Sequence, residues 1–181
     1  MNVLIIDANP NKKSLTTAIA TRLYDKYQRE HQCRLIHLSD LDFDLSFQGY
    51  SDKKELGPDL VKAQLAIKEA DHLIFATPIW WSSIPALFKG FLDRCLTPHF
   101  AFSYKENSPF QNKLLKNKTA DLYLLSDAPA WYRKFILGDP AAKMLKRDTL
   151  EFCGIKVKKV KRIGNVRNLN REQAQRILES L

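Results

Sequence analysis

The chain has no apolar run near the roughly 20 residues that span a bilayer, so it is not read as integral to a membrane. Its first residues, Met1-Asn-Val-Leu-Ile-Ile-Asp7, carry neither a basic segment nor a small-residue cleavage site. They read as a first strand rather than a signal peptide. Cysteine is scarce: Cys33, Cys95 and Cys153 are far apart, odd in number and set in or beside apolar segments. Free buried thiols in a reducing cytoplasm are expected, and neither a disulfide framework, a zinc site nor a redox pair. The histidines His31, His37, His72 and His99 have no metal-ligand spacing, so no metal is expected. Also missing are a Gly-x-Gly-x-x-Gly dinucleotide fingerprint, a Walker loop, internal repeats, linkers and any recognised nucleic-acid motif.

What remains is an ordinary globular composition. At 181 residues, 45% hydrophobic, with a mean hydropathy of −0.33, residues 1–181 read as one soluble domain able to bury a core unaided. The net charge of +9 gathers late, from Lys143 through Lys156, Lys158, Lys159, Lys161 and Arg162 to Arg167. Residues 155–163 alternate roughly between apolar and basic, as an edge strand does when its lysines face water and discourage further pairing. A solvated face therefore explains the charge better than a nucleic-acid partner, and a mild positive field also helps recruit phosphate-bearing ligands.

Strands and helices alternate along the sequence. Val3 to Ile6 is a short continuous apolar run, the pattern of a strand covered on both faces. Ser14 opens a helix carrying Leu15, Ala18, Ile19, Leu23 and Tyr27 at helical spacing, and a second strand runs from Arg34 to Leu38. An irregular acidic loop (40–56) leads to a helix from Pro58 to about Ala70, a third strand from His72 to Ala76 and a third helix over about 85–96. After a long loop come a fourth strand (120–125), a helix over about 140–152 capped by Gly154, a fifth strand from Ile155, and a final helix (171–181). This alternation predicts an α/β three-layer sandwich around a five-stranded parallel sheet. The flavodoxin-like order 2-1-3-4-5 is favoured, with the ligand crevice over strands one and three.

In that topology three loops meet at one sheet edge. The first is Asn9-Pro-Asn-Lys-Lys-Ser-Leu-Thr-Thr17. Free N–H groups at a helix start, with the Asn11, Ser14, Thr16 and Thr17 side chains nearby, suit an anion, although a plain capped turn explains a single Ser equally well. The second is Pro78-Ile79-Trp80-Trp81-Ser82-Ser83, which sets adjacent indoles at the end of a buried strand. One Trp could simply plug the core, but the pair favours a planar ligand. The third, Ser126-Asp127-Ala128-Pro-Ala-Trp-Tyr132-Arg133, follows small residues with aromatics. It suits either close backbone approach to a ring edge or packing on the next helix.

The run from Pro78 to Arg94, with Pro98-His-Phe-Ala-Phe102, resembles the signature of flavodoxin-fold NAD(P)H:quinone oxidoreductases. The stretch Ser126 to Tyr132, then Gly138-Asp-Pro140, Leu145-Lys-Arg147 and Leu150 to Ile155, is similar to the bacterial branch, which includes regulatory partners of potassium-efflux systems. The resemblance runs from the first strand to about Val166. It implies FMN or FAD with its phosphate at Ser14, Leu15 and Thr16. The ring would lie against Pro78, Ile79, Trp80, Trp81 and Ser82, and its polar edge near Ser126, Asp127 and Ala128. It further implies NADPH or NADH as hydride donor, a quinone or nitroaromatic acceptor, ping-pong turnover through one site, and a homodimer with Phe91, Phe100 and Phe102 as interface or core. The alternative it carries is a flavin-binding regulatory subunit of a transporter. An azoreductase-like preference is a third. The chain departs from the family pattern at Asn9-Pro10, where His-Pro is frequent, at Leu15-Thr16, where Phe-Asn is frequent, and at His99, where Gly is common. The Tyr/His pair of the animal enzymes has no clear match, leaving Tyr132 or water as proton donor.

Overall fold

A computed structural model describes residues 1–49 and 56–181. Part of the acidic loop predicted over 40–56 lies outside the described residues. The central layer is a parallel sheet of β1 (Asn2–Asp7), β2 (Gln32–His37), β3 (His72–Pro78), β6 (Thr119–Leu125) and β7 (Lys156–Ile163), ordered β2-β1-β3-β6-β7. In order of their appearance within that sheet these are strands 2-1-3-4-5, as the pattern predicts. The long loop after the third helix also holds a small antiparallel hairpin, β4 (Phe102–Tyr104) with β5 (Gln111–Lys113). Three-residue strands are too short to leave a period-2 signature.

Helices cover both faces. On one side α1 (Leu15–Tyr27) and α6 (Arg171–Glu179) pack over Val3, Ile5, Ile74, Tyr123 and Leu125. On the other, α2 (Pro58–Glu69), α3 (Ala86–Cys95) and the segment 140–153 pack over Leu4, Ile6, Leu73, Phe75, Leu122 and Leu124. Neighbouring residues of β1 thus bury opposite faces, which is why its apolar run is continuous rather than alternating. Phe88 and Phe91 of α3 are fully buried and Phe102 is nearly so, placing Phe91 and Phe102 in the core; Phe100 is half-buried.

The helix predicted over about 140–152 is not uniform. It begins as α4 (Pro140–Lys143), widens to a π-helix over Met144–Leu150 and closes as α5 (Glu151–Cys153), with Gly154 left-handed after it. A second π-helical turn, Tyr132–Ile136, follows the fourth sheet strand. Such widenings cluster at functional sites. The strand β7 is an edge, as its lysines suggested, and carries a register shift opposite Ala120/Asp121 that strengthens its twist.

Candidate functional site

The cleft is built where β1, β3, β6 and β7 end. Asn9, Ser14, Leu15, Thr16, Pro78, Ile79, Trp80, Leu125, Ser126, Asp127 and Val166 line a hollow of about 190 Å³. Of the residues predicted to bind a cofactor, the structure brings together Ser14, Leu15, Thr16, Pro78, Ile79, Trp80, Ser126 and Asp127. Asn11, Trp81, Ser82, Ala128 and Tyr132 are not among the lining residues. Asn9, Leu125 and Val166 are added. Val166 had a sequence signal in the topology itself: a loop after the last strand must reach the same edge as the others.

The end of the cleft lined by main-chain N–H groups comes from the first loop. Ser14 caps α1 in extended geometry, its Oγ accepting the Thr17 N–H at 3.2 Å. The N–H groups of Leu15 and Thr16 head the helix, where no carbonyl lies one turn back to receive them. The helix has no acidic residue of its own in its first turn, and the positive end of its dipole points toward the cleft. Asn9 braces the loop: its Nδ2 donates to Thr16 Oγ1 at 3.1 Å and its Oδ1 accepts the Asn11 N–H at 2.9 Å. Asn11 turns its side chain to the Lys13 N–H (3.0 Å), serving the loop rather than the cleft. Outside it, Lys12 pairs with Asp40.

The aromatic lip is a tight turn closed by two hydrogen bonds, Trp80 N–H to Ser83 O at 2.9 Å and Ser83 N–H to Trp80 O at 2.8 Å. Its central residues Trp81 and Ser82 are left-handed, with φ of 49° and 59°. Each non-glycine residue held there costs about 1–2 kcal/mol, and such strain collects at functional sites. Trp80 is 48% exposed at the cleft edge, while the Trp81 side chain stands fully in solvent.

The far wall is hydrogen-bonded across two loops. The Ser126 N–H donates to Ile163 O (2.9 Å), the Val166 N–H to Ser126 O (3.1 Å) and the Arg167 N–H to Asp127 Oδ1 (3.1 Å). The Ser126 hydroxyl donates to Ala128 O at 2.8 Å. Gly164 permits this approach, since a Cβ there would fall 2.4 Å from the Ala130 nitrogen. Beyond the wall, Trp131 and Tyr132 meet edge to face at 5.8 Å, and Trp131, Phe135, Ile136 and Leu137 all lie exposed. Among the described residues no cluster of side chains could hold a metal ion, and no helix is long and apolar enough to cross a membrane.

A doubly wound parallel sheet of this order, with three loops meeting at one crevice, defines the flavodoxin-like class of α/β proteins. The chain belongs to the flavodoxin-like fold family, whose model matches residues 1–181. It is 33% identical over 122 residues to the ribosyldihydronicotinamide dehydrogenase [quinone] of Rattus norvegicus, covering 62% of this chain and 49% of that protein. The chain thus spans about half the length of such curated relatives. It is 31% identical over 133 residues to an FMN-dependent NADH:quinone oxidoreductase of Coprothermobacter proteolyticus, covering 65% of this chain and 64% of that one. Among solved structures, a Streptococcus mutans UA159 protein superposes with a TM-score of 0.86 at 29% identity, covering 99% of this chain and 96% of that one.

Proposed function

We propose that the protein is a flavin-dependent NAD(P)H oxidoreductase that reduces quinones or nitroaromatics, with FMN as its flavin. The observation that carries this reading is the convergence on one cleft of a dipole-backed N–H pair at Leu15 and Thr16 with the Pro78-Ile79-Trp80 lip. The first suits a terminal phosphate and the second a flat ring. Bound flavin supplies the hydride relay between nicotinamide and acceptor, used twice at one site. The chain's own part is binding and orientation. Ile79 and Trp80 give the ring an apolar bed, and the backbone over Ser126–Ala128 lies where donors can meet its polar edge. Tyr132, 37% exposed beyond that wall, is our candidate proton donor to a reduced acceptor.

At about 190 Å³ the cleft falls below the roughly 300 Å³ at which pockets engulf a ligand of drug size. We infer that a second copy supplies further wall in a homodimer. The exposed Trp131, Phe135, Ile136 and Leu137 form an apolar run beside the cleft that such a copy would cover. The free thiols suit a reducing cytoplasm: burial holds Cys95 and Cys153 up to about 12.

The test is an absorbance spectrum of purified protein loaded with FMN and freed of excess, followed anaerobically through addition of NAD(P)H and then a quinone. A retained flavin band that bleaches and recovers is the expected result. Flavin retained without bleaching favours the regulatory-subunit reading, and no retained flavin refutes both.

A further inference from the structure

Asp7 has no solvent exposure, yet it is a carboxylate at the end of a central strand, in register with His37 on one side and Ala76 on the other. Burying that charge costs several kcal/mol unless good geometry compensates it. The compensation runs into the first loop. Asp7 Oδ1 accepts the Asn9 N–H at 3.2 Å; Oδ2 accepts the Thr17 hydroxyl at 2.7 Å and lies 2.9 Å from His37 Nδ1.

A carboxylate only accepts, so the Thr17 proton is spent on Asp7, shared at 3.3 Å with the Asn11 carbonyl. In the 3.1 Å contact between Thr17 Oγ1 and Ser14 Oγ, the donor must then be Ser14. Ser14 Oγ also accepts the Thr17 N–H. Its one proton is turned inward, away from the cleft, and the donors left facing an anion are the main-chain N–H groups at the head of α1.

We propose that Asp7 is a positioning residue of the anion site. Through Thr17 it locks the Ser14 hydroxyl into the loop and sets the Leu15 and Thr16 N–H groups for a phosphate, while His37 supplies the proton donor that keeps a buried carboxylate tolerable beneath it. This rests on the flavin reading above. It assigns Ser14 to the cap, not to direct donation, and gives work to three residues outside the cleft lining, Asp7, Thr17 and His37.

The experiment compares dissociation constants of FMN and riboflavin by quenching of flavin fluorescence, since the two ligands differ only in the phosphate. Asp7→Leu lowers FMN affinity by about tenfold or more, the scale of a lost hydrogen bond to a charged group, and leaves riboflavin within about twofold. Thr17→Val, a near-isosteric change, reproduces the selective loss, and the two together cost little more than either alone. Asp7→Asn, which keeps an acceptor for Thr17, restores most of the FMN preference. If Asp7→Leu fails to fold, Thr17→Val and Asp7→Asn decide. Variants that keep the wild-type ratio of FMN to riboflavin affinity, or lose both alike, overturn the assignment. Wild-type protein with no preference for FMN over riboflavin overturns the phosphate-loop reading on which it stands.

Discussion

Two Asp–His pairs, each built on a buried carboxylate, sit at opposite edges of the same sheet, and their wiring differs. At the carboxyl-terminal edge Asp7 meets His37 directly and passes its influence through Thr17 into a loop whose N–H groups open on the cleft. At the amino-terminal edge Asp121 lies 3.7 Å from His72 Nε2, while His72 Nδ1 is closed off by Thr119 Oγ1 at 2.8 Å. Tyr27 stacks over that imidazole at 6.3 Å, and burial lifts Tyr123 to about 12. The same chemistry thus ends in a closed plug at one edge and feeds an open site at the other. Burial alone therefore does not mark function; the marker is whether the hydrogen-bond chain reaches groups left without partners.

The open edge should be the more fragile. Gly164→Ala would drive a methyl group into the backbone at Ala128–Ala130, so it should cost about 2–3 kcal/mol and lower flavin affinity as the wall shifts. A urea midpoint equal to wild type would show that the loop yields freely. The closed edge should announce itself through pH. Burial pushes His72 below the ordinary histidine value, against a smaller opposing pull from Asp121. The unfolded chain therefore takes up that proton first. This contribution is whole above about pH 6.5 and is lost as pH falls below it. The wild-type urea midpoint should drop more steeply than that of His72→Gln between about pH 7 and 5, and parallel slopes would exclude the effect. The smallest change concerns the lip. Trp81→Gly relieves a left-handed residue and should raise stability by about 1 kcal/mol. A fall in the melting midpoint would mean that the indole packs on something in solution.

Most of the sheet could be read from the sequence, because strands covered on both faces appear as short apolar runs and turn chemistry separates them. Helix bounds moved by a residue or two: Ser14 and Pro85 lie before the first helical residue, as caps do. The hairpin at 102–113 and the π-helical turns were not legible, since three-residue strands and a shift in hydrogen-bond spacing leave no period in side-chain polarity. In the site, the apolar Pro78-Ile79-Trp80 run and the Ser14 cap announced themselves by residue type. Val166 did not, because an apolar residue after a basic strand looks like any core residue until the strand's direction is known. Asp7 escaped notice for a similar reason. One acidic residue at a strand end reads as the start of a polar loop, and only the tertiary structure shows that it is sealed.

Val166, a wall of the cleft, lies far along the chain from Asn9, the first of its walls. A ribosome making this protein therefore releases the first loop long before the strand that completes its site. Until β7 arrives, β6 offers an unpaired edge flanked by Leu122 and Leu124, a surface that invites wrong pairing in a crowded cell. Binding in this cleft cannot assist the early stages of synthesis. It can only reward a chain that has emerged past Val166, so nascent chains stalled before residue 156 should be the population most exposed to aggregation.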